Sequence, residues 1–257
     1  MPASAPCSSL MHIAILTDVH ANLEALNACL AHAERQGAGR FAFLGDHVGY
    51  GADPAAVVDA IRKRVAQGAI AVAGNHDRAV AASERQPLGE DARRVVEWTR
   101  GRLGPDQIAF LRDLPLTEQR NGRLYTHANA WAPGQWEYVA GPIEAGRSIR
   151  ATSCRITFCG HVHEPTLYHM TVGGRVLAFS PVPGTGIPLG SSRRWLAIPG
   201  SAGQPRDGNP ASCYALLDDA REVLTYFRVP YDHETAAGKV RAAGLPETLG
   251  VRLRIGF

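Results

Sequence analysis

Apolar and polar positions follow a regular order along the first third of the chain. A short run rich in Ile and Leu, His12–Thr17, reads as a buried strand. Leu23, Leu26, Cys29 and Leu30 then recur at the spacing of one helix face, with Asn22 as the opening cap and Gly37 past the end. Phe41–Leu44 reads as a second strand. Pro54 stands at a first helical position ahead of Val57, Val58 and Ile61, and Ala69–Val72 reads as a third strand. This β-α-β-α-β order predicts a parallel sheet with right-handed crossovers, an α/β architecture.

Helical stretches are expected over Glu90–Arg102 and from Pro105 to just before Pro115. Strand-like pieces return at Leu124–Thr126, Ile156–Phe158, Thr166–Val172, Arg175–Phe179 and Trp195–Ile198. Cys213–Leu217 and Val223–Arg228 form a further pair around a turn at Asp218-Asp219, and Asp232–Ala243 reads as the last helix. Two Gly/Pro-rich stretches, 180–192 and 199–210, read as long loops of the kind that carry function or stay disordered. No repeat or linker divides the chain, so residues 11–257 are expected to form a single domain behind a flexible tail at 1–10.

Composition narrows the class. A chain of 257 residues with 45% hydrophobic and 20% charged residues can bury a large core without disulfides. No run of about 18 apolar residues exists, and the first ten residues lack the features of a secretory leader, so no membrane partner is expected. A formal charge of +3, from 27 basic and 24 acidic residues, is too balanced for a stable nucleic-acid complex. Five cysteines without CxxC spacing fit a reducing, cytoplasmic compartment better than a disulfide framework.

The residues that follow the strands carry the chemistry. They read Thr17-Asp18-Val19-His20, Gly45-Asp46-His47, Gly74-Asn75-His76-Asp77, Thr126-His127 and Gly160-His161-Val162-His163. In an open α/β sheet, ligand sites gather at the carboxyl ends of strands, so these groups can converge. Asp18 and His20, like His161 and His163, are two apart and would face one side in extended chain. Gly45, Gly74 and Gly160 each precede a ligand, where a missing Cβ permits an unusual turn or a close approach to an ion. Any one of these histidines alone is more often a packing residue, but together they form a set.

Asp18, His20, Asp46, Asn75, His127, His161 and His163 are more ligands than one ion needs. They suit two ions sharing Asp46, whose two oxygens could serve one each. Nitrogen-rich ligation favours Mn, Fe, Co, Ni or Zn over Mg and Ca, with Mn the first expectation. Two divalent ions against two carboxylates leave positive charge for an anionic substrate, and activated water can attack phosphorus in line. His76, beside a ligand but outside the set, is placed to protonate the leaving oxygen.

The ordered set Asp18-x-His20, Gly45-Asp46, Gly74-Asn75-His76-Asp77, His127 and Gly160-His161-x-His163 resembles the calcineurin-like metallophosphoesterase superfamily. The stretch PGSAGQPRDGNP, with the closing strand pair and helix, resembles its bacterial phosphodiesterase-like branch. The resemblance implies a four-layer α/β/β/α sandwich with a mixed pair of sheets and a metal site at strand C-terminal ends. It assigns one ion to Asp18, His20, Asp46 and His163, a second to Asp46, Asn75, His127 and His161, and the leaving group to His76.

The chain departs from the pattern in three places. Phosphoprotein phosphatases of the superfamily carry Gly-Asp-x-Val-Asp-Arg-Gly, whereas residues 45–51 here read GDHVGYG, with Tyr50 where the phosphate-gripping Arg would stand. Ala128 follows His127 where Gly is usual, and His47 either faces the site or is a loop histidine.

The expected function is a two-metal phosphoesterase acting on a small phosphate ester or nucleotide, either a phosphodiesterase or a nucleotide pyrophosphohydrolase. The alternatives are a phosphomonoesterase, a protein Ser/Thr phosphatase, and an inactive scaffold of the same fold. Asp77 is expected to cap a helix, and His12, His32, His169 and His233 to be surface or packing residues. Tyr50, Arg78 and Arg206 are candidate substrate contacts, with Asp53, Asn129 and Asp207 as further pocket residues. Trp131 and Trp136 either stack a ring or pack the core, and specificity is expected from loops 128–142 and 180–210.

Overall fold

A computed structural model describes residues 12–82 and 90–257. The expected tail at 1–10, with Cys7, lies outside the described residues. Among the described residues are twelve strands and eight helices in two six-stranded mixed sheets. The chain order is β1 (His12–Leu16), α1 (Leu23–Arg35), β2 (Ala38–Phe43), α2 (Pro54–Ala66), β3 (Ile70–Ala71), α3 (Asn75–Ala81), α4 (Glu90–Arg100) and α5 (Pro105–Asp113). It continues through β4 (Thr117–Arg120), β5 (Arg123–Thr126), α6 (Pro142–Arg150), β6 (Ile156–Phe158), β7 (Thr166–Met170), β8 (Val176–Phe179) and β9 (Gly186–Pro188). The chain closes with β10 (Arg194–Ile198), β11 (Ser212–Asp218), β12 (Val223–Val229), α7 (His233–Ala242) and α8 (Glu247–Ile255).

The first sheet has the order β3-β2-β1-β11-β12-β9, the second β4-β5-β6-β10-β7-β8. As the sequence predicts, β1, β2 and β3 run parallel. The inner strands β1, β5, β6, β10 and β11 are buried on both faces, which is why most of them read as continuous apolar runs. Ile13 and Ile15 of β1 meet Tyr125, Ile156, Phe158 and Trp195 of the other sheet in the central core, while Ala14 and Leu16 face the outer helices with Leu26, Val58 and Ile61. On the far side, Leu196 and Ile198 of β10 pack against Ala145 and Ile149 of α6. The layers are therefore helix, sheet, sheet, helix. No described helix is long and apolar enough to cross a membrane.

Asn22 caps α1 as expected, accepting from Ala25 N at 3.1 Å, and Asp232 caps α7 through Thr235 N at 2.9 Å. Elements that the pattern does not announce are β4, β9, α6 and α8. β9 falls within the stretch 180–192 and pairs with β12, with Pro188 opposite Val223. Val223 pairs with Asp218 and Asp218 with His12, so this stretch sits toward the amino end of β1. That register corrects its expected place in a specificity loop, because the ligands follow the carboxyl ends.

At the same amino end, one ion-pair group ties the sheets together. Asp219, in the β11–β12 turn, accepts from Arg40 of β2 at 2.6 Å and from Arg123 of β5, whose side chain is only 7% exposed. Removing one partner of such a pair leaves a buried charge uncompensated. Asp219→Ala should lower unfolding free energy by about 3 kcal/mol in a denaturant titration, with little change in cation affinity.

Candidate metal centre

The carboxyl ends of β1, β2, β3, β5 and β6 each pass into a loop that delivers one or two of the seven predicted ligands, and all seven converge. Asp18 Oδ1 lies 3.3 Å from His163 Nε2 and 3.9 Å from His20 Nε2, and those two imidazole nitrogens are 3.2 Å apart. Next to them, His127 Nε2 lies 3.4 Å from Asp46 Oδ2, 3.1 Å from Asn75 Oδ1 and 3.1 Å from His161 Nδ1. Asp46 Oδ2 joins the two groups, being also 3.8 Å from His20 Nε2.

The loops reach this arrangement through strained backbone rather than the extended alternation that the spacing suggests. Asp18, His20, Asp46, His161 and His163 all have φ between 48° and 70°, a region that residues with a Cβ seldom occupy. Bonds between loops hold it: Asp18 N donates to Gly45 O at 3.1 Å, His20 N to Asp46 O at 2.9 Å and Gly160 N to His127 O at 2.7 Å. The segment 199–204 braces the first loop, with Ser201 Oγ and Gly203 N both donating to Asp18 O. The predicted glycines serve close approach to protein atoms. A Cβ on Gly160 would lie 1.9 Å from Thr17 Oγ1, and one on Gly74 2.1 Å from Asp46 Oδ1. Asp46 Oδ1 also accepts from His76 N at 2.9 Å, and Oδ2 is the oxygen that lies near both groups.

Four backbone carbonyls decide how the imidazoles are aimed. His20 Nδ1 meets Val48 O at 3.3 Å, His127 Nδ1 meets Leu44 O at 2.8 Å, and His163 Nδ1 meets Gln204 O at 2.6 Å. His161 is turned the other way, with Nε2 on Trp136 O at 3.0 Å. A carbonyl only accepts, so each of these nitrogens carries a proton, and the inner nitrogen of a neutral ring presents a lone pair. The inner nitrogens of His20 and His163 thus face each other at 3.2 Å, the lone pair of His161 Nδ1 faces His127 Nε2 at 3.1 Å, and the buried Asp18 Oδ1 has no hydrogen-bond donor. Divalent cations fit this donor set of imidazole, carboxylate and amide oxygen.

Charge shifts follow the same crowding. Burial pushes Asp18 and Asp46 up, but the facing imidazoles outweigh it and hold both carboxyls below their usual range. Burial also opposes charge on His127, yet Asp46, Asp18 and the Leu44 carbonyl raise it to about 9. Burial and the neighbouring His127 lower His161 to about 4.

His76 differs from the four. Its Nε2 is 4.0 Å from Asp46 Oδ2, and among the described residues no carbonyl orients its ring. Tyr50 and His20 hold it edge-on, at centroid distances of 4.4 and 5.0 Å. His47 does not face the site. It is buried and bonds Asp77 through Nδ1 at 2.7 Å. Asp77 caps α3 as expected, accepting from Gly74 N, and in addition accepts from His47 N, which fixes the loop behind Asp46.

Of the candidate substrate contacts, Tyr50 packs on His20 and His76, and the Arg206 guanidinium lies 6.0 Å from the Tyr50 ring. Arg78 lines an adjacent cavity, but its guanidinium donates to Arg112 O and Leu114 O. Asp53 pairs with Lys239, Asp207 with Arg228, and Asn129 ties its own loop through Glu137 O and Ala132 N. Trp131 lies under Arg147, whereas Trp136 stands edge-on to His127 at 5.9 Å. Tyr138, half exposed and stacked on His161 at 4.0 Å, has no motif to reveal it, and the Gln204 carbonyl lies in the PGSAGQPRDGNP stretch without a side-chain signal for its part.

Comparison with known proteins agrees with this geometry. The family model for the calcineurin-like phosphoesterase superfamily domain matches residues 11–221. The chain belongs to that superfamily. It is 34% identical over 254 residues to an uncharacterized protein of Methanocaldococcus jannaschii, covering 95% of this chain and 98% of that one. The crystal structure of a metallophosphoesterase from Sphaerobacter thermophilus superposes with a TM-score of 0.86 at 33% identity, covering 96% of this chain and 99% of the other. A hypothetical protein of Pyrococcus horikoshii shares the fold, with a TM-score of 0.77 at 20% identity over 96% of this chain and 99% of that one.

Two outcomes are expected of the metal centre. At pH 7.5 His127, with a pKa of about 9, carries a proton that a cation must displace, whereas His161, at about 4, is already neutral. Cation binding should therefore release about one proton from His127, and apparent affinity should climb with pH until about 9 and then level off. Calorimetric titration in buffers of different ionisation enthalpy measures both. Gly160→Ala drives a methyl into Thr17 and Asp18 and should weaken cation binding at least roughly tenfold, the loss typical of disturbed ligand support.

Proposed function

We propose that this phosphoesterase is a two-metal hydrolase of small phosphate esters, a phosphodiesterase or nucleotide pyrophosphohydrolase. One observation carries the reading: two nests of inward lone pairs, each with its own carboxylate oxygen and joined at Asp46 Oδ2. Asp18, His20, Asp46 and His163 would hold one divalent cation, and Asp46, Asn75, His127 and His161 the other. Mn is the first expectation, with Fe, Co, Ni or Zn as alternatives. When bound, such a pair supplies Lewis acidity toward phosphoryl oxygens and makes water nucleophilic at neutral pH.

The chain itself supplies position and a proton. Fixed tautomers keep the ligand lone pairs aimed inward, so little reorganisation accompanies binding or reaction. His76 faces the cluster without being locked by a carbonyl, and it donates a proton to the leaving oxygen. Burial holds the free imidazole below its usual pKa. A phosphate anion arriving beside it acts in the opposite direction, so the proton is taken up as substrate binds. Tyr50, in place of an arginine, disfavours a phosphoprotein substrate, and the Arg206 guanidinium lies 6.0 Å from the Tyr50 ring. The four described cysteines are buried free thiols, which suits a cytoplasmic setting.

The deciding experiment measures metal content and turnover together. Protein reconstituted with each of the five metals is assayed on bis(4-nitrophenyl) phosphate, 4-nitrophenyl phosphate, a dinucleoside polyphosphate and a phosphopeptide. His76→Ala should lower kcat by about 100-fold or more while metal content and KM stay near wild type. Asp46→Asn should lose both metal and activity. Unchanged kcat in His76→Ala overturns the acid assignment, and faster turnover of the phosphopeptide overturns the small-ester reading.

A further inference from the structure

A cavity of about 530 Å³ opens beside the cluster, with Asn75 and His76 at its inner end. α3 supplies Ala79 and α4 supplies Ala92, Val95 and Val96, and neither Asp18 nor Asp46 lines it. Leu116, Gly134, Trp136 and the ring of Tyr50 complete the described lining. Among the described residues its one cationic lining side chain is Arg78, whose guanidinium is engaged by the carbonyls of Arg112 and Leu114 at the end of α5. The volume falls in the range of pockets that enclose a small organic group. The described lining is mostly apolar and offers a second phosphate little, and an anion held there without partners is disfavoured.

We propose that this cavity receives the leaving group of the ester, and that the group is an uncharged aryl or apolar alkyl alcohol rather than a nucleotide phosphate. This rests on the phosphoesterase reading and selects a diesterase from its two forms. His76 stands where cluster and cavity meet, so an oxygen that it protonates has its organic substituent inside the apolar walls. In the step, water oxygen bonds to phosphorus and gives up one proton to solvent, the bond from phosphorus to the ester oxygen breaks with its electron pair going to that oxygen, and His76 supplies the proton that completes the alcohol and is reprotonated from solvent. Trp136 offers the departing ring a flat face.

The test separates the cavity from the chemistry. Binding of 1-naphthol to the metal-free protein is measured by calorimetry, and kcat/KM for bis(4-nitrophenyl) phosphate and for a dinucleoside polyphosphate with the Mn-loaded enzyme. Ala92 is an exposed position on α4, so Ala92→Phe keeps the fold and fills the cavity. It should weaken 1-naphthol binding and lower kcat/KM for the aryl diester by tenfold or more each, with metal content unchanged. The wild-type enzyme should prefer the aryl diester to the polyphosphate. Ester hydrolysis without 1-naphthol binding, or with both values unmoved by Ala92→Phe, overturns the cavity proposal alone. Failure of every ester with metal-loaded protein overturns the phosphoesterase reading on which it stands.

Discussion

The structure depends on a bond that involves no predicted ligand atom: the donation of an outward imidazole N–H to a backbone carbonyl. Val48, Leu44, Trp136 and Gln204 each provide that acceptor, from three loops, Leu44 and Val48 sharing the one after β2. Because a carbonyl cannot donate, the ring nitrogen turned outward is decided before any cation arrives. The inner nitrogens then have no freedom to turn away from one another. Their crowding, together with the unpartnered Asp18 oxygen, leaves a place at the centre of the molecule that suits positive charge.

Holding that deficit requires a rigid frame, and the two sheets supply it. The parallel strands β1, β2, β3, β5 and β6 deliver their carboxyl ends to one edge of the sandwich. The central core behind them, with Phe158, Tyr125 and Ile15 fully or almost fully buried, prevents the sheets from sliding. The loops accept left-handed backbone at five ligands because cross-bonds between them and the 199–204 segment leave no alternative that satisfies the same N–H groups. His76 escapes this regime: rings rather than a described carbonyl hold it, which leaves its tautomer unfixed and suits a proton donor better than a ligand.

Much of this was legible in the amino-acid order. Strand ends, the set of seven candidate ligands that converge and the capping roles of Asn22 and Asp77 follow from local patterns and motif spacing. What was hidden has physical reasons. β9 pairs through backbone in a stretch whose Gly and Pro content reads as loop, and pairing of that kind leaves no side-chain signature. Thr117–Arg120 shows no apolar alternation because β4 is an edge strand. Gly146 and Gly250 interrupt the helical patterns of α6 and α8, yet both are buried, where small size matters more than propensity. The geometry at Asp18-x-His20 was anticipated for a reason the structure replaces: tight left-handed turns, not extended chain, bring the two side chains together. Tyr138 acts from outside every motif, and Gln204 acts through a backbone carbonyl that its side chain does not announce.

Helix α4 contributes Ala92, Val95 and Val96 to the cavity but no group that faces the cations. Reactivity and choice of reactant are thus written on separate stretches of chain. A lineage could exchange the side chains of that one helix, swapping one alcohol for another, while the inherited chemistry passed through untouched. Divergence within such enzymes would then be concentrated where comparison of ligand motifs gives no warning of it.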